Sequence, residues 1–209
     1  MNILKKILAV VLACILVFGL AACGEAKVER NSDGNPHLTV PAKASKAGKY
    51  PAWVEVGKLS RAYITYEYDG QSVDRYFYYY LPSNYDPNDP PALMMTLHGS
   101  GVNADWQLRE GNFVKIAERE GFAVLAPEST GVSKDRKLYG DGRGLTVLGQ
   151  SDINALRWVA GDFEMAKGLG VDDVAYLSDL IDLFVAGNLI DGGRVYISGL
   201  SHGDRKSVV

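Results

Sequence analysis

Three mostly apolar runs separated by segments of helical periodicity restrict what the second half of this chain can fold into. Residues 92–97, 122–126 and 194–198 have the length and the β-forming composition of strands. Their apolar residues do not alternate with polar ones, as they do in strands that expose one face to water. Unbroken apolar strands that alternate with helices predict an α/β fold with a mostly parallel sheet covered on both faces.

Two helices are predicted between these strands. The apolar residues between positions 113 and 117 recur at helical spacing, and Gly121 ends the pattern. The second helix follows Asp172 and Asp173, a predicted N-cap. Because negative charge suits a helix N-terminus, we interpret the two acids as a helix start and not as a catalytic pair. The apolar face of this helix comprises Val174, Leu177, Ile181, Phe184 and Val185.

An antiparallel hairpin is predicted before the alternating region. Residues 62–68 and 74–81 are rich in β-formers and flank the turn sequence Asp69-Gly70. We place this hairpin at an edge of the sheet. Its tyrosines are interpreted as cross-strand packing rather than as a carbohydrate-binding platform.

A glycine-punctuated stretch between Ser129 and Gly149 has no predicted element of its own. Loops of this length in a compact domain are usually functional or mobile. No apolar strand leads directly into Gly140-Asp141-Gly142-Arg143-Gly144, so a phosphate-binding loop is excluded. We interpret the stretch as part of the rim of a site.

The first 22 residues have the organisation of a bacterial export signal. Lys5 and Lys6 precede an uncharged run at 7–20, and Leu20-Ala21-Ala22-Cys23 follows. The last four residues resemble a lipobox, in which the cysteine is lipidated and becomes the first residue of the mature chain. An uncleaved signal anchor is the alternative, because the run approaches the length of a short spanning helix.

We therefore predict a lipoprotein signal peptide at 1–22, then a lipidated Cys23 and a flexible tether at 23–52. The tether has too few apolar residues to pack, and His37 within it is predicted to be solvated. The lipid on Cys23 makes the membrane a predicted partner and places the protein outside the cytoplasm. Since Cys14 lies in the removed segment, no thiol remains for a disulfide, a zinc site or catalysis.

The charge balance gives no case for a nucleic-acid partner. The formal net charge is -3, and 22% of the residues are charged. Nucleic-acid-binding domains concentrate basic residues on one face, and this sequence has no such concentration. No metal site is predicted either.

The strongest chemical pattern is Gly199-Leu200-Ser201-His202-Gly203, directly after the last predicted strand. A serine hydroxyl is a poor nucleophile, so it must be exposed beside a base and beside N–H donors for the developing oxyanion. A strained strand-to-helix turn presents it in this way, and flanking glycines avoid crowding. Ser201 is the predicted catalytic nucleophile; an ordinary glycine-rich turn is the alternative.

A second pattern, Leu97-His98-Gly99-Ser100-Gly101, ends the first of the three predicted strands. Acyl transfer needs two backbone N–H groups aimed at the carbonyl oxygen as it gains charge. We predict that the N–H groups of His202 and Ser100 form this oxyanion hole. The His98 side chain is predicted to hold the loop from beneath, and the His202 side chain to point away from the Ser201 hydroxyl.

These segments together resemble the secreted polyhydroxybutyrate depolymerase and feruloyl/acetyl-xylan esterase group of α/β hydrolases. The resemblance covers roughly residues 76–203 and is carried by Tyr80-Leu81-Pro82-Ser83-Asn84-Tyr85, Leu97-His98-Gly99, Gly121-Phe122-Ala123-Val124-Leu125-Ala126-Pro127-Glu128, Asp172-Asp173-Val174-Ala175-Tyr176-Leu177 and Arg194-Val195-Tyr196-Ile197-Ser198-Gly199-Leu200-Ser201. It implies the N-terminal half of an α/β-hydrolase fold in a domain at 53–203. It also implies hydrolysis of a small-molecule or polymer-borne ester through an acyl-enzyme, with no metal or organic cofactor.

The chain departs from a working enzyme after the nucleophile. In this fold the catalytic acid and then the histidine follow the serine along the chain. The chain ends at Val209, and the only histidine after Ser201 is His202. We therefore expect a domain truncated just after the nucleophile turn and an inactive fragment. Relatives begin the next helix with small and apolar residues, whereas this chain continues with Asp204-Arg205-Lys206-Ser207-Val208-Val209, so we predict a non-native tail at 204–209.

The leading hypothesis is that the parent protein is a lipid-anchored serine esterase. Trp106, Trp158 and Tyr139 are candidates for the acyl pocket, although both tryptophans fit the core equally well. A prolyl-oligopeptidase-type peptidase shares the nucleophile turn and is the alternative among enzymes. From another class, the chain fits a non-catalytic surface lipoprotein that binds a glycan or polymer through a degenerate hydrolase domain.

Overall fold

A computed structural model describes residues 28–40, 42–46, 48–133, 135–142, 153–159 and 168–204. The predicted signal peptide, Cys14, Cys23 and residues 205–209 lie outside these ranges, so the expectations for them stay predictions. Within the described ranges, no helix combines the length and the apolar character needed to cross a membrane.

Nine strands and three helices are assigned in the described part of the chain. In chain order they are β1 (His37–Leu38), β2 (Ser60–Tyr68), β3 (Gln71–Tyr80), β4 (Leu93–Leu97), α1 (Ala104–Glu110), α2 (Phe113–Glu120), β5 (Ala123–Pro127), β6 (Thr130–Ser133), β7 (Leu138–Tyr139), β8 (Ile153–Arg157), α3 (Asp173–Ala186) and β9 (Val195–Gly199). Six strands form the main sheet in the order β1-β2-β3-β5-β4-β9, and three form a small sheet in the order β7-β6-β8.

The main sheet combines the predicted hairpin with the predicted parallel strands. β3 lies antiparallel to both β2 and β5, whereas β4 lies parallel between β5 and β9. The chain leaves β4 through α1 and α2, returns as β5 on one side and later as β9 on the other, which is the behaviour of a doubly wound sheet. The predicted fold class is confirmed: the described region is part of an α/β-hydrolase fold.

The hairpin turns where the sequence predicts it. Asp69 and Gly70 have φ angles of 49° and 71°. Two successive residues in the left-handed region make the tight turn whose twist matches that of the flanking strands, and Asp-Gly favours it. Tyr63 and Tyr76 stack across the two strands with ring centroids 5.1 Å apart, so these tyrosines pack as predicted.

Helices cover both faces of the main sheet at β3 and β5, as the unbroken apolar strands predict, whereas the edge strand β9 leaves Tyr196 and Ile197 exposed. On one face, Phe184 of α3 packs against Phe77 of β3 with ring centroids 6.1 Å apart. On the other face, Leu108 of α1 and Ala117 of α2 pack with Val124 of β5. The core therefore lies in two layers, one on each side of the strands that lead to the site.

Part of the predicted flexible tether belongs to the fold. β1 pairs in parallel with β2, which places His37 opposite Tyr63. The two rings stack 4.8 Å apart, and His37 Nε2 lies 3.0 Å from Thr65 Oγ1. Leu38 is buried in the main core. The prediction that His37 is solvated was therefore wrong, and the folded region begins before Trp53.

The stretch after Ser129 contains strands rather than loop alone, which corrects the sequence-based interpretation. β6 pairs with both β7 and β8. Gly140 is required here by close packing, because a Cβ at this position would lie 2.2 Å from the carbonyl oxygen of Asp74. Residues 143–149 lie outside the described ranges.

A buried ion pair joins β3 to the start of α3. Arg75 Nη2 lies 2.8 Å from Asp173 Oδ1, and neither side chain is exposed. Arg75 Nη2 also donates to the Glu128 carbonyl at 3.1 Å, and its guanidinium carbon lies 3.7 Å from the ring centroid of Tyr176. The second carboxylate oxygen of Asp173 accepts the Val159 N–H. Asp173 therefore does more than begin a helix, the role that its sequence context predicts.

Asp172 and Asp173 are expected to differ sharply in their contribution to stability. Asp173→Ala leaves the Arg75 charge buried without its partner, which lowers the free energy of unfolding by about 3–5 kcal/mol. Asp172→Ala removes only the N-cap hydrogen bond from the Ala175 N–H and costs about 1 kcal/mol. Urea denaturation followed by circular dichroism measures both losses. Equal losses for the two variants would contradict the expectation.

Candidate active site

Ser201 lies in a strained turn at the carboxyl end of β9. Its φ angle is 52°, in the left-handed region that a residue with a side chain adopts only at a cost. The Gly203 N–H donates to the Leu200 carbonyl at 2.9 Å and closes the turn, and Ser201 is exposed. This is the backbone geometry with which α/β hydrolases present a nucleophile.

Two glycines flank Ser201 at positions where no side chain fits. A Cβ on Gly199 would lie 2.4 Å from the backbone nitrogen of Asp204. A Cβ on Gly203 would lie 2.4 Å from the carbonyl oxygen of Leu97. Both obstructing atoms belong to the backbone and cannot rotate away, so the turn requires glycine at both positions.

The loop after β4 lies against this turn, because β4 and β9 pair in parallel and end side by side. The Leu200 N–H donates to the Leu97 carbonyl at 3.0 Å. A Cβ on Gly99 would lie 3.2 Å from the Leu200 carbonyl oxygen. The structure therefore brings the two predicted loops together. The assignment of the Ser100 and His202 N–H groups to an oxyanion hole remains a prediction.

His98 is fully buried beneath the loop, and both of its ring nitrogens have partners. Nε2 accepts the Ser129 N–H at 3.0 Å, so the ring proton sits on Nδ1, which donates to the Gly99 carbonyl at 2.8 Å. Burial lowers the pKa of His98 to about 4, which keeps the ring neutral at pH 7. The predicted role of this side chain, holding the loop, is confirmed.

Glu128 is a second buried titratable group beside His98. Its Oε1 accepts the Ala104 N–H at 3.1 Å. Its Oε2 lies 3.6 Å from His98 Nε2 and has no hydrogen-bond partner among the described residues. Burial raises the pKa of Glu128 to about 8, so the carboxyl is mostly protonated at pH 7. Because His98 Nε2 already accepts the Ser129 N–H, the two side chains are a neutral acid beside a neutral imidazole.

The three candidates for the acyl pocket lie in different environments. Trp158 is fully buried, and its indole N–H donates to the His98 carbonyl at 2.8 Å, so the core alternative holds for this residue. Trp106 is half-buried on α1, and Tyr139 is 37% exposed on β7. Neither this Trp158 contact nor the buried position of Glu128 is predicted by the sequence pattern. The sequence signal for Glu128 is its position directly after the buried strand β5, where an acid is placed near the loops at the edge of the sheet.

The arrangement can present a hydroxyl nucleophile beside backbone N–H donors. In the part of the chain that the structure describes, no group of three or more His, Cys, Asp or Glu side chains is placed to hold a metal ion. The polar side chains beneath the site are engaged with backbone groups: His98 with Gly99 and Ser129, and Glu128 with Ala104. They support the loop rather than face a substrate.

No family model matches the chain. Over 133 residues it is 29% identical to the bifunctional acetylxylan esterase/xylanase of Neocallimastix patriciarum. That alignment covers 64% of the chain and 15% of the relative, so the chain spans only a small part of the length of this curated protein.

Solved structures similar to the chain include the acetyl xylan esterase from Aspergillus awamori, with 15% identity and a TM-score of 0.42 over 69% of the chain and 43% of that structure. Another is the S-formylglutathione hydrolase from Agrobacterium tumefaciens, with 14% identity and a TM-score of 0.48 over 81% of the chain and 55% of that structure. The chain spans about half the length of each.

Glu128 is expected to make the stability of the fold depend on pH. Its pKa rises from an ordinary value of 4.5 to about 8 on folding, so the folded state binds more protons between these values. The free energy of unfolding therefore falls as the pH rises from about 5 to about 8. Glutamine keeps an oxygen for the Ala104 N–H and cannot ionise, so Glu128→Gln is expected to reduce this fall.

Thermal melts at pH 5 and pH 8 measure the effect. The exposed Glu110→Gln variant on α1 is the matched control and is expected to keep the fall of the unaltered chain. A Glu128→Gln variant that loses as much stability between the two pH values as the control would contradict the assignment of Glu128 as the buried acid.

Proposed function

We propose that the chain carries the nucleophile of a serine carboxylic-ester hydrolase that works through an acyl-enzyme. One observation supports this above the others: Ser201 is exposed at a φ of 52° in a glycine-flanked turn, beside the loop that contains Ser100. Such backbone strain costs free energy and concentrates at functional sites. The sequence similarity to an acetylxylan esterase agrees with this proposal.

In the proposed reaction, Ser201 Oγ attacks the carbonyl carbon of the ester while a general base takes the hydroxyl proton. The carbonyl oxygen becomes an oxyanion, which accepts hydrogen bonds from the N–H groups of Ser100 and His202; one such donor contributes about 2.7–4 kcal/mol. The intermediate expels the alcohol, which receives the proton from the base. Water then attacks the acyl-enzyme, which releases the carboxylic acid and restores Ser201.

Neither His37 nor His98 lies where the base acts. His37 lies in β1, at the opposite end of the main sheet from β9, and its ring stacks on Tyr63 of β2. Both ring nitrogens of His98 are engaged, and the His202 side chain is predicted to point away from the serine. We therefore propose that the 209 residues alone do not turn over an ester.

The proposed substrate is a small-molecule ester or an ester carried by a polymer. A short acyl group on a polysaccharide is favoured, because the relative is named an acetylxylan esterase. Polyhydroxybutyrate and feruloyl esters are the other substrates that the sequence resemblance implies. The reaction uses a serine hydroxyl and backbone N–H groups, so the proposal requires no metal or organic cofactor.

Ser201→Ala, made in the full-length protein that contains this chain, tests the proposal. Loss of the nucleophile is expected to reduce the hydrolysis of p-nitrophenyl acetate by about 10⁶-fold and to abolish labelling by a fluorophosphonate. Ser178→Ala, at an exposed position on α3, is the matched control and is expected to retain both.

Three other outcomes would contradict the esterase proposal. Labelling that survives in Ser201→Ala would exclude Ser201 as the nucleophile. An unaltered protein that is neither labelled nor active would favour the non-catalytic lipoprotein that binds a glycan or polymer. Hydrolysis of peptides without hydrolysis of esters would favour the prolyl-oligopeptidase type of peptidase.

We also propose that the protein is exported and held at the membrane, outside the cytoplasm, by a lipid on Cys23. The basic start, the uncharged run and the small residues before Cys23 support this. Cys23→Ser is expected to prevent lipidation, which changes the mass of the mature protein and releases it from the membrane fraction. A variant with unchanged membrane association would favour an uncleaved signal anchor.

A further inference from the structure

The loop that contains Ser100 is held at two points by the segment that ends β8. The Trp158 indole N–H donates to the His98 carbonyl at 2.8 Å. The Gly101 N–H donates to the Leu156 carbonyl at 3.3 Å. These hydrogen bonds lie one on each side of Ser100 along the chain, so they bracket the stretch of backbone that carries the predicted oxyanion donor.

A third hydrogen bond sets the direction of that donor. The Gly99 carbonyl and the Ser100 N–H belong to one planar peptide unit, in which they point in opposite directions. His98 Nδ1 donates to the Gly99 carbonyl at 2.8 Å from the buried side of the loop. Because the carbonyl is directed inward, the Ser100 N–H is directed away from the His98 ring.

Trp158 is itself fixed in the interior. Its side chain is fully buried, and its ring centroid lies 5.2 Å from that of His98. The next residue, Val159, donates its N–H to Asp173, whose carboxylate is paired with Arg75. The indole therefore has a rigid anchor in the ion pair at the start of α3.

We propose that Trp158 is a positioning residue, which holds the His98–Gly101 backbone so that the Ser100 N–H faces the acyl group bound at Ser201. This inference rests on the proposed esterase function. Trp158 does not touch the reacting atoms; it acts through the His98 carbonyl. Without the indole donor, the His98 carbonyl is buried and lacks this hydrogen bond. The loop then keeps only one of its two hydrogen bonds to residues 156–158, the one from the Gly101 N–H to the Leu156 carbonyl.

Trp158→Phe in the full-length protein tests the proposal, since it keeps an aromatic ring and removes the N–H donor together with part of the indole volume, a loss of volume that a second Trp→Phe variant controls for. The matched control is Trp53→Phe, at a buried tryptophan that packs against Tyr79 and Phe184 in the main core. For hydrolysis of p-nitrophenyl acetate, Trp158→Phe is expected to lower kcat about tenfold and to leave KM within about twofold, because the oxyanion donors act mainly in the transition state. The control is expected to change neither.

Hydrogen exchange supplies a measurement that does not depend on activity. In Trp158→Phe the amides of residues 99–101 are expected to exchange about tenfold faster, with the β2 and β3 amides unchanged. A uniform rise across the core, or a kcat equal to that of the control, would overturn the proposal. If Trp158→Phe does not fold, hydrogen exchange in the unaltered protein tests the proposal instead. An indole proton of Trp158 that exchanges tenfold faster than these loop amides would overturn it, and comparable protection would support it.

The two proposals fail in different ways. Hydrolysis that survives in Ser201→Ala would refute the assignment of Ser201 as the nucleophile, and the exchange rates alone would then decide whether Trp158 holds the loop. A Ser201→Ala variant without activity, combined with a Trp158→Phe variant of normal kcat, would leave the esterase function standing and refute the positioning role.

Discussion

The parallel pairing of β4 with β9 determines where the reactive groups of this molecule meet. The two strands are in register from Leu93 and Val195 to Leu97 and Gly199, so they end at the same level on one edge of the sheet. The chain must turn away from both ends within a few residues, and the two turns then share one small space. That closeness explains Gly203, because the backbone of Leu97 occupies the volume that a side chain there would need, whereas Gly199 is crowded by the backbone of Asp204 in its own turn.

Polar groups buried beneath this edge are costly, and each is arranged to limit that cost. Arg75 and Asp173 form an ion pair inside the core, and each also has a backbone partner of its own: Arg75 donates to the Glu128 carbonyl, and Asp173 accepts the Val159 N–H. His98 and Glu128 instead give up their charges, since burial disfavours the ionised form of each. The support of the site is therefore neutral near the loop and ionic one layer deeper. A hydrophobic filling of similar volume would be cheaper to bury, but it would leave the backbone groups of the two loops without partners.

The parts of this fold that were predictable from sequence are those with a local pattern. The hairpin has a turn dipeptide between two β-rich runs, α3 has an N-cap residue and an apolar face, and the nucleophile turn has its spaced glycines. β1 was missed because two residues are too short to carry a periodicity, and α1 because its seven residues lack a clear apolar repeat. The support of the site was only partly predictable. Partners of His98 lie 31 and 60 residues away along the chain, so neither Ser129 nor Trp158 is marked by its neighbours in sequence.

The order of strands also has a kinetic consequence for how the site comes into being. One edge of β4 pairs with β5, which is close in sequence, and its other edge pairs with β9, about 100 residues further along the chain. Contacts between such distant segments pay a loop-closure entropy before they contribute any stability, so they form late in folding. The nucleophile turn depends on this pairing, because the Leu200 N–H donates to the Leu97 carbonyl only when β9 lies beside β4. A chain in which the hairpin and the first helices have formed but β9 has not yet joined β4 therefore lacks the hydrogen bond that holds the serine turn against the neighbouring loop.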